Sequence, residues 1–233
     1  MKYLITGLTG FAGPHLARLL LDRNHEVDGI VRTANGREQD LLDILLPEEL
    51  DRIGIHRLDL KHYYSVQKIL NEQCYDGIFH LAAQSHPPTS FHDPILTFEE
   101  NVNATVNLTT ALEGTDTKIM VCSTSEVYGN YSGGQSTIQE DSKLSPSNPY
   151  GASKAAVDLY MQERMMNEKV VGFVTRAFSH TGPRRGRIFS ISSDAYQVAM
   201  MMCGSDSRTL RVGNLDTERV VIDVRDCVNA YYL

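Results

Sequence analysis

The sequence predicts an α/β fold built on a doubly wound parallel sheet, and three observations carry that prediction. Short apolar runs alternate with helical patterns from the N-terminus to about residue 178. A glycine-rich turn, Gly7-x-x-Gly10-x-x-Gly13, lies between the first run and the first helical pattern. No internal repeat or low-complexity tract interrupts the alternation.

Residues 2–6 are expected to form the first strand, residues 11–23 a helix with Leu16, Leu19 and Leu20 on its apolar face, and residues 26–31 the second strand, which together make one βαβ unit. Further strands are expected at 54–58, 77–81, 118–123 and 170–176, separated by helices near 64–72, 101–113 and 150–168. Strands joined by helical crossovers pair in parallel. Residues 129–149 are rich in Gly, Ser, Asn and Pro and aperiodic, so they read as a long loop, a type that is usually functional. Beyond residue 178 the pattern changes to a loop, a helix near 193–203, short strands near Leu210 and Val220, and a helix from Asp223 whose apolar positions await a partner.

Composition narrows the function. At 233 residues, 42% hydrophobic and 22% charged, the chain has the make-up of a globular domain with a substantial core. No run approaches the ~20 apolar residues of a membrane span, and no signal-peptide pattern precedes the first strand, so no membrane partner is expected. The net charge is −7, from 22 basic and 29 acidic residues, with no Lys/Arg stripe, which argues against nucleic acid. Cys74, Cys122, Cys203 and Cys227 form no C-x-x-C pair and sit in apolar settings that suit buried thiols in a reducing cytoplasm. His15, His25, His56, His62 and His92 show no ligand spacing, so no metal is expected.

In the glycine turn, Gly7 permits the tight turn, Gly10 admits a pyrophosphate against the backbone, and Gly13 lets the helix pack on the strand, with the helix N-terminus facing the phosphates. Thr9, Phe11 and Ala12 belong to the same turn. The second strand ends Ile30-Val31-Arg32-Thr33 with no acid to hold a ribose 2′-hydroxyl, while Arg32, with Arg37 shortly after, suits a 2′-phosphate. NADP is therefore favoured, with NAD the alternative. The plan is a Rossmann-like dinucleotide-binding domain over residues 1–178 and the start of a substrate lobe over residues 179–233, in a chain that reads as shortened.

Tyr150 and Lys154 stand four residues apart at the start of a helix and project from one face. A cation beside a phenol is expected to lower its pKa and make Tyr150 a general base, with Lys154 also holding a ribose hydroxyl. Ser123, Thr124, Ser125 and Glu126 follow the fifth strand and bring hydroxyls and a carboxylate to the carboxyl edge of the sheet, where ligands bind.

Gly7-x-x-Gly10-x-x-Gly13, His80-Leu81-Ala82-Ala83, Ser123-Thr124-Ser125 and Tyr150-x-x-x-Lys154 together resemble the extended short-chain dehydrogenase/reductase superfamily of nucleotide-sugar enzymes. Ala83 to His86, Ser123 to Gly129 and Phe178 to Gly186 resemble its GDP-mannose 4,6-dehydratase branch, including relatives that reduce the 4-keto product. The resemblance implies that Thr124 binds the sugar 4-hydroxyl, Tyr150 takes its proton, and Glu126 removes the C5 proton and assists loss of water from C6. It further implies Asp59 and Leu60 at the adenine, Leu81, Ala82 and Ala83 along the cofactor, Ser85 and Ser123 at the hexose, and His180 with Arg185 near the cofactor or the phosphates. Leu96 departs from a Tyr of that branch. The loop from Arg184 to Arg187 is implied to reach a neighbouring subunit in a homodimer or homotetramer. A sugar-nucleotide substrate, GDP-linked, follows from the same resemblance. A reductase or 4-epimerase of the same fold would share Tyr150 and Lys154, and a non-catalytic dinucleotide-binding protein is the reading of a different class.

Overall fold

The computed structural model describes residues 1–32, 37–130, 137–204 and 209–233. In chain order β1 (Lys2–Thr6) leads through a turn into α1 (Gly13–Asp22) and back to β2 (Glu26–Val31). A 3-10 turn (Arg37–Asp43) and the short α2 (Pro47–Leu50) connect to β3 (Ile53–Arg57), followed by α3 (Tyr63–Glu72) and β4 (Gly77–His80). The crossover from β4 contains α4 (Pro87–His92), α5 (Pro94–Phe98), a π-helical turn (Glu99–Asn103) and α6 (Ala104–Leu112). Then come β5 (Lys118–Cys122), a 3-10 turn (Ser125–Tyr128), the long α7 (Pro149–Met166) and β6 (Val171–Thr175). The final part contributes β7 (Ser179–Thr181), α8 (Ser190–Met202), β8 (Val221–Asp223) and α9 (Val224–Tyr232).

The first six strands form one sheet in the order β3-β2-β1-β4-β5-β6, parallel throughout. This is the Rossmann-like sheet the alternation predicts. The chain winds outward in both directions from β1, with Thr6 flanked by Ile30 on one side and His80 on the other. The carboxyl ends therefore open a crevice at the β1/β4 switch point.

Both faces of the sheet are covered, as a parallel sheet requires. Neighbouring strand residues point opposite ways. Ile5, Val27, Phe79 and Met120 pack with Leu16 and Leu20 of α1, Leu41, Leu45 and α9. Leu4, Ile30, Ile78 and Val121 pack on the other side with Val66, Leu108, Val157 and Met161. Among the described residues no helix is long and apolar enough to cross a membrane.

Several expectations need correction. The first helix begins at Gly13 rather than residue 11, because residues 10–12 remain in the turn. The fourth crossover is helical from Pro87 onward, where only a helix from residue 101 was expected. No strand forms at Leu210, which lies exposed in an irregular stretch over residues 209–220, while β7 appears where a loop was expected, paired in parallel with the distant β8. The apolar positions of α9 do not await a partner: Val224, Cys227, Val228 and Tyr231 are buried in the core against α1. Of the cysteines only Cys227 is buried; Cys74 follows the end of α3 and Cys203 caps α8, and both are exposed. The long loop over 129–149 falls partly on residues 131–136, outside the described residues. Its described ends are tied back by Ser145 N–H donating to the Val127 carbonyl at 2.9 Å.

Candidate active site

The glycine turn shows why its spacing matters. Gly7 has φ +74°, and a Cβ there would lie 2.8 Å from the backbone nitrogen of Ala82. At Gly13 a Cβ would run into the carbonyl oxygens of Gly7 and Leu8. At Gly10, which lines both cavities described below, a Cβ would lie 2.9 Å from the Gly7 carbonyl oxygen, so the turn itself keeps a side chain out of that wall. The first turn of α1 carries no acidic residue, which leaves its N-terminal dipole available to an anion.

Two adjoining cavities run along the carboxyl edge of the sheet from this turn. The first is lined by Gly7, Thr9, Gly10, Arg32, Asp59, Leu60, Ala82 and Ala83, together with Lys61, Glu100 and apolar Ile30, Val31, Leu58 and Ala104. Arg32 makes a two-point pair with Glu100, its Nη1 donating to Oε1 at 2.8 Å and its Nη2 to Oε2. The side chain of Arg37 lies outside the described residues.

The second cavity gathers Phe11, Ala12, Gly13, Leu81, Ser85, Ser123, Thr124, Glu126, Tyr150, Lys154, His180 and Arg185. Thus the residues selected from the sequence meet in two connected hollows. Ser123 Oγ is buried there without a hydrogen-bond partner among the described residues. A buried orphan hydroxyl is costly, and this one belongs to a residue of the cavity lining, beside the space a polar ligand would fill. This orphan, the bare Cα of Gly10 on the cavity wall and the helix terminus without an acidic first turn fit a dinucleotide with a second polar ligand beside it.

The start of α7 is clasped on several sides. Asn148 caps it, its Oδ1 accepting from Gly151 N–H at 2.7 Å, while its Nδ2 donates to Glu126 Oε2 at 2.9 Å. One side chain thereby fixes both the helix that carries Tyr150 and the carboxylate opposite it. Tyr150 N–H donates to Ser90 Oγ at 3.1 Å, and Asn101 Nδ2 donates to Ser153 Oγ at 2.8 Å. Lys154 Nζ donates to the Cys122 carbonyl at 2.8 Å.

These contacts alter one expectation. The Tyr150 phenol is pushed above its ordinary value, chiefly by burial and also by the nearby Cys122 and Glu126, against a hydrogen bond with Thr124 and the charge of Arg185. Lys154 is turned onto the Cys122 carbonyl and does not act to lower that phenol, and burial depresses the ammonium itself. Beneath the site His80 bonds Thr6 Oγ1 at 2.7 Å and Thr105 Oγ1 at 3.0 Å, and burial lowers its pKa to about 3, so the ring is neutral.

Residues after β6 close the second cavity. Arg185 lies over the rings of Phe189, at 3.5 Å, and Phe11, at 4.6 Å, while His180 stacks on Phe11. Arg184 turns inward: its guanidinium donates to the carbonyls of Gly10 at 3.1 Å and Thr9 at 3.2 Å and pairs with Asp40 and Asp43. Within its own chain this arginine grips the glycine turn. Sequence reasoning missed Glu100, Asn101, Asn148, Lys61 and Phe189. Only Asn148 left a local signal, as a cap residue before Pro149 and Tyr150.

A family model described as GDP-mannose 4,6 dehydratase matches residues 4–233. A GDP-mannose 4,6-dehydratase of Sordaria araneosa is 33% identical over 223 residues, covering 92% of this chain and 39% of that protein. The GDP-6-deoxy-D-mannose reductase of Pseudomonas aeruginosa is 32% identical over 232 residues, covering 99% of this chain and 69% of that protein. Among solved structures, the dTDP-glucose 4,6-dehydratase DesIV of Streptomyces venezuelae with NAD bound matches with TM-score 0.81 and 25% identity, over 99% of this chain and 70% of that one.

Proposed function

The chain belongs to the GDP-mannose 4,6 dehydratase family, and we propose that it is a sugar-nucleotide 4,6-dehydratase, a lyase that converts GDP-mannose to GDP-4-keto-6-deoxymannose without net redox change. The observation that carries this reading is Asn148, which holds Glu126 at 2.9 Å while capping the helix of Tyr150. A reductase or epimerase needs a proton-transfer residue at the 4-hydroxyl; a dehydratase also needs a base for C5, and Glu126 is fixed where it can serve.

The cofactor would be held by the glycine turn, Arg32, Asp59, Leu60, Leu81 to Ala83, Lys154, His180 and Arg185, and it supplies the acceptor and donor of the migrating hydride. Arg32 just past β2, with no acid at the carboxyl end of that strand, supports NADP over NAD. Thr124, hydrogen-bonded to Tyr150, orients the 4-hydroxyl, and Tyr150 takes its proton as the phenolate, a form that burial disfavours and that the positive charge of an oxidised cofactor beside it would favour. Glu126 removes the proton at C5, made acidic by the C4 ketone, and returns a proton to the departing C6 hydroxyl as water. Ser85 and Ser123 bind the hexose, Ser123 gaining the partner it lacks.

Residues 1–178 act as the dinucleotide-binding domain, and residues 179–233 contribute to sugar-nucleotide binding. Exposed Phe91, Ile95 and Leu159 on α4, α5 and α7 support association into a homodimer or homotetramer, and the unpaired thiols support a reducing, cytoplasmic setting. A second reading, the GDP-4-keto-6-deoxymannose reductase, is favoured by the 32% identity with the Pseudomonas reductase. Incubation with GDP-mannose and NADP, followed by mass spectrometry, separates the two. Loss of one water without NADPH accumulation supports the dehydratase. Inertness toward GDP-mannose with reduction of its 4-keto product supports the reductase. Glu126→Gln is expected to abolish dehydration, and retention of full activity would remove Glu126 from the mechanism.

A further inference from the structure

Arg32 stands just past β2 and Glu100 on the π-helical turn before α6, far apart in sequence, yet their side chains pair across the first cavity. Glu100 is the enclosed partner, its side chain 9% exposed against 51% for Arg32. A nearly buried carboxylate stripped of its cation is costly, so Glu100 keeps Arg32 engaged. The other cation lining this cavity, Lys61, is likewise matched, 3.9 Å from Asp59. Among the described residues, then, each lining cation already faces a carboxylate.

A ribose 2′-phosphate entering here would compete with Glu100 for Arg32 and bring its own negative charge against that carboxylate. A ribose 2′-hydroxyl needs only an acceptor, which a carboxylate provides. We propose that Glu100 is a specificity-determining residue of this cavity: it counters Arg32, penalises a ribose 2′-phosphate and accepts a ribose 2′-hydroxyl, so that NADP gains little advantage over NAD. The end of β2 carries no acid, and Glu100 supplies one from another element. This inference rests on the dinucleotide reading above and narrows the preference that Arg32 alone would give.

The test is calorimetric binding of NAD and of NADP, without sugar nucleotide, to the protein and to its Glu100→Gln variant. The isosteric amide keeps the side chain's shape and removes its charge. For the unaltered protein, NADP is expected to bind no more than about tenfold tighter than NAD, a difference of a single modest charge contact. In Glu100→Gln, NADP should tighten by about fivefold or more, while NAD changes by less than about twofold. An NADP preference beyond tenfold in the unaltered protein overturns the proposal whether or not the variant folds, and so does a variant in which NADP fails to tighten. Failure to bind either dinucleotide overturns the cofactor reading itself, and this inference with it, so the two failures are told apart.

Discussion

Helix α7 buries Tyr150, Ser153, Lys154, Val157 and Met161, whereas α8 has no buried residue and leaves Ile191, Tyr196, Val198 and Met200 at solvent. Both elements border the same cavity, the first through Tyr150 and Lys154, the second through Phe189 at its start. The α7 wall is set by the sheet below it and by Ser90, Asn101 and Asn148 around it. The other wall is tied down by Arg184 on the glycine turn, by the β7–β8 pair and by α9. The groups proposed to meet reacting atoms, Tyr150 and Lys154, therefore sit on the well-packed side, and the wall proposed to face the variable part of a ligand is the loosely packed one.

The sharpest way to break that contrast is kinetic. Tyr150→Phe removes the proposed proton-transfer group from the rigid wall and should lower kcat by about a hundred- to ten-thousand-fold. Arg219→Ala, on the opposite wall of the same cavity, should chiefly raise KM, by about tenfold. Steady-state kinetics on the two variants decides: comparable effects on kcat would mean that both walls carry the chemistry.

Stability gives the second contrast. Met161 is fully buried in α7 and Met202 is 83% exposed at the end of α8. Met161→Ala should cost about 2–5 kcal/mol by leaving a cavity in the core, while Met202→Ala should stay within about 0.5 kcal/mol. Urea denaturation of both measures the difference. A cost at Met202 similar to that at Met161 would show that α8 is packed against something in solution.

The same division explains what the sequence discloses. Where burial follows a local period, as in the strands and in Leu16 and Leu20 of α1, the pattern is readable because a two-sided core demands it. The glycine turn is readable because its three glycines fall within seven residues between the first strand and the first helix, although the contact that bars a side chain at Gly7 comes from distant Ala82. Tyr150 and Lys154 are readable because helical spacing sets them on one face. What escapes is long-range: Glu100 meeting Arg32, Arg184 gripping Gly10, and β7 finding β8 have no counterpart in local spacing. The direction of the Tyr150 shift escapes too, since burial governs it and Lys154, though nearby in sequence, is spent on a backbone carbonyl. In α8 and in residues 209–220, apolar residues without a buried face give periodicity little to report, and the expected strand at Leu210 is absent.

Arg184 joins the two walls and gives an intermediate prediction. Arg184→Met keeps the stem and removes the hydrogen bonds to Thr9 and Gly10. The glycine turn then loses a restraint, and dinucleotide affinity should fall by about three- to tenfold, about the value of one or two hydrogen bonds. Calorimetry reads it. Unchanged affinity would mean that the turn is held by its glycines alone.

The last contrast is a pH dependence, and it also separates the two regions. His80, on β4 beneath the rigid wall, is fully enclosed and has its pKa lowered by burial from 6.5 to about 3. His180, on β7, is also lowered, first by burial and then by Arg185, and raised by its bond to the Phe178 carbonyl. His80 is neutral in the folded chain where the unfolded chain would be protonated, and His180 is shifted in the same direction. The unfolded state therefore binds more protons below pH 6.5, so stability is complete above that pH and falls as the pH drops toward 3. For a single group the slope approaches about 1.4 kcal/mol per pH unit, and His80 should come nearer to it than the less enclosed His180. Denaturation between pH 7 and 5 should show a stability loss of about 1–2 kcal/mol, flattened more by His80→Gln than by His180→Gln. Equal flattening by the two would mean that the β7 side encloses its histidine as completely as the sheet does, and the contrast between the walls would then rest on α8 alone.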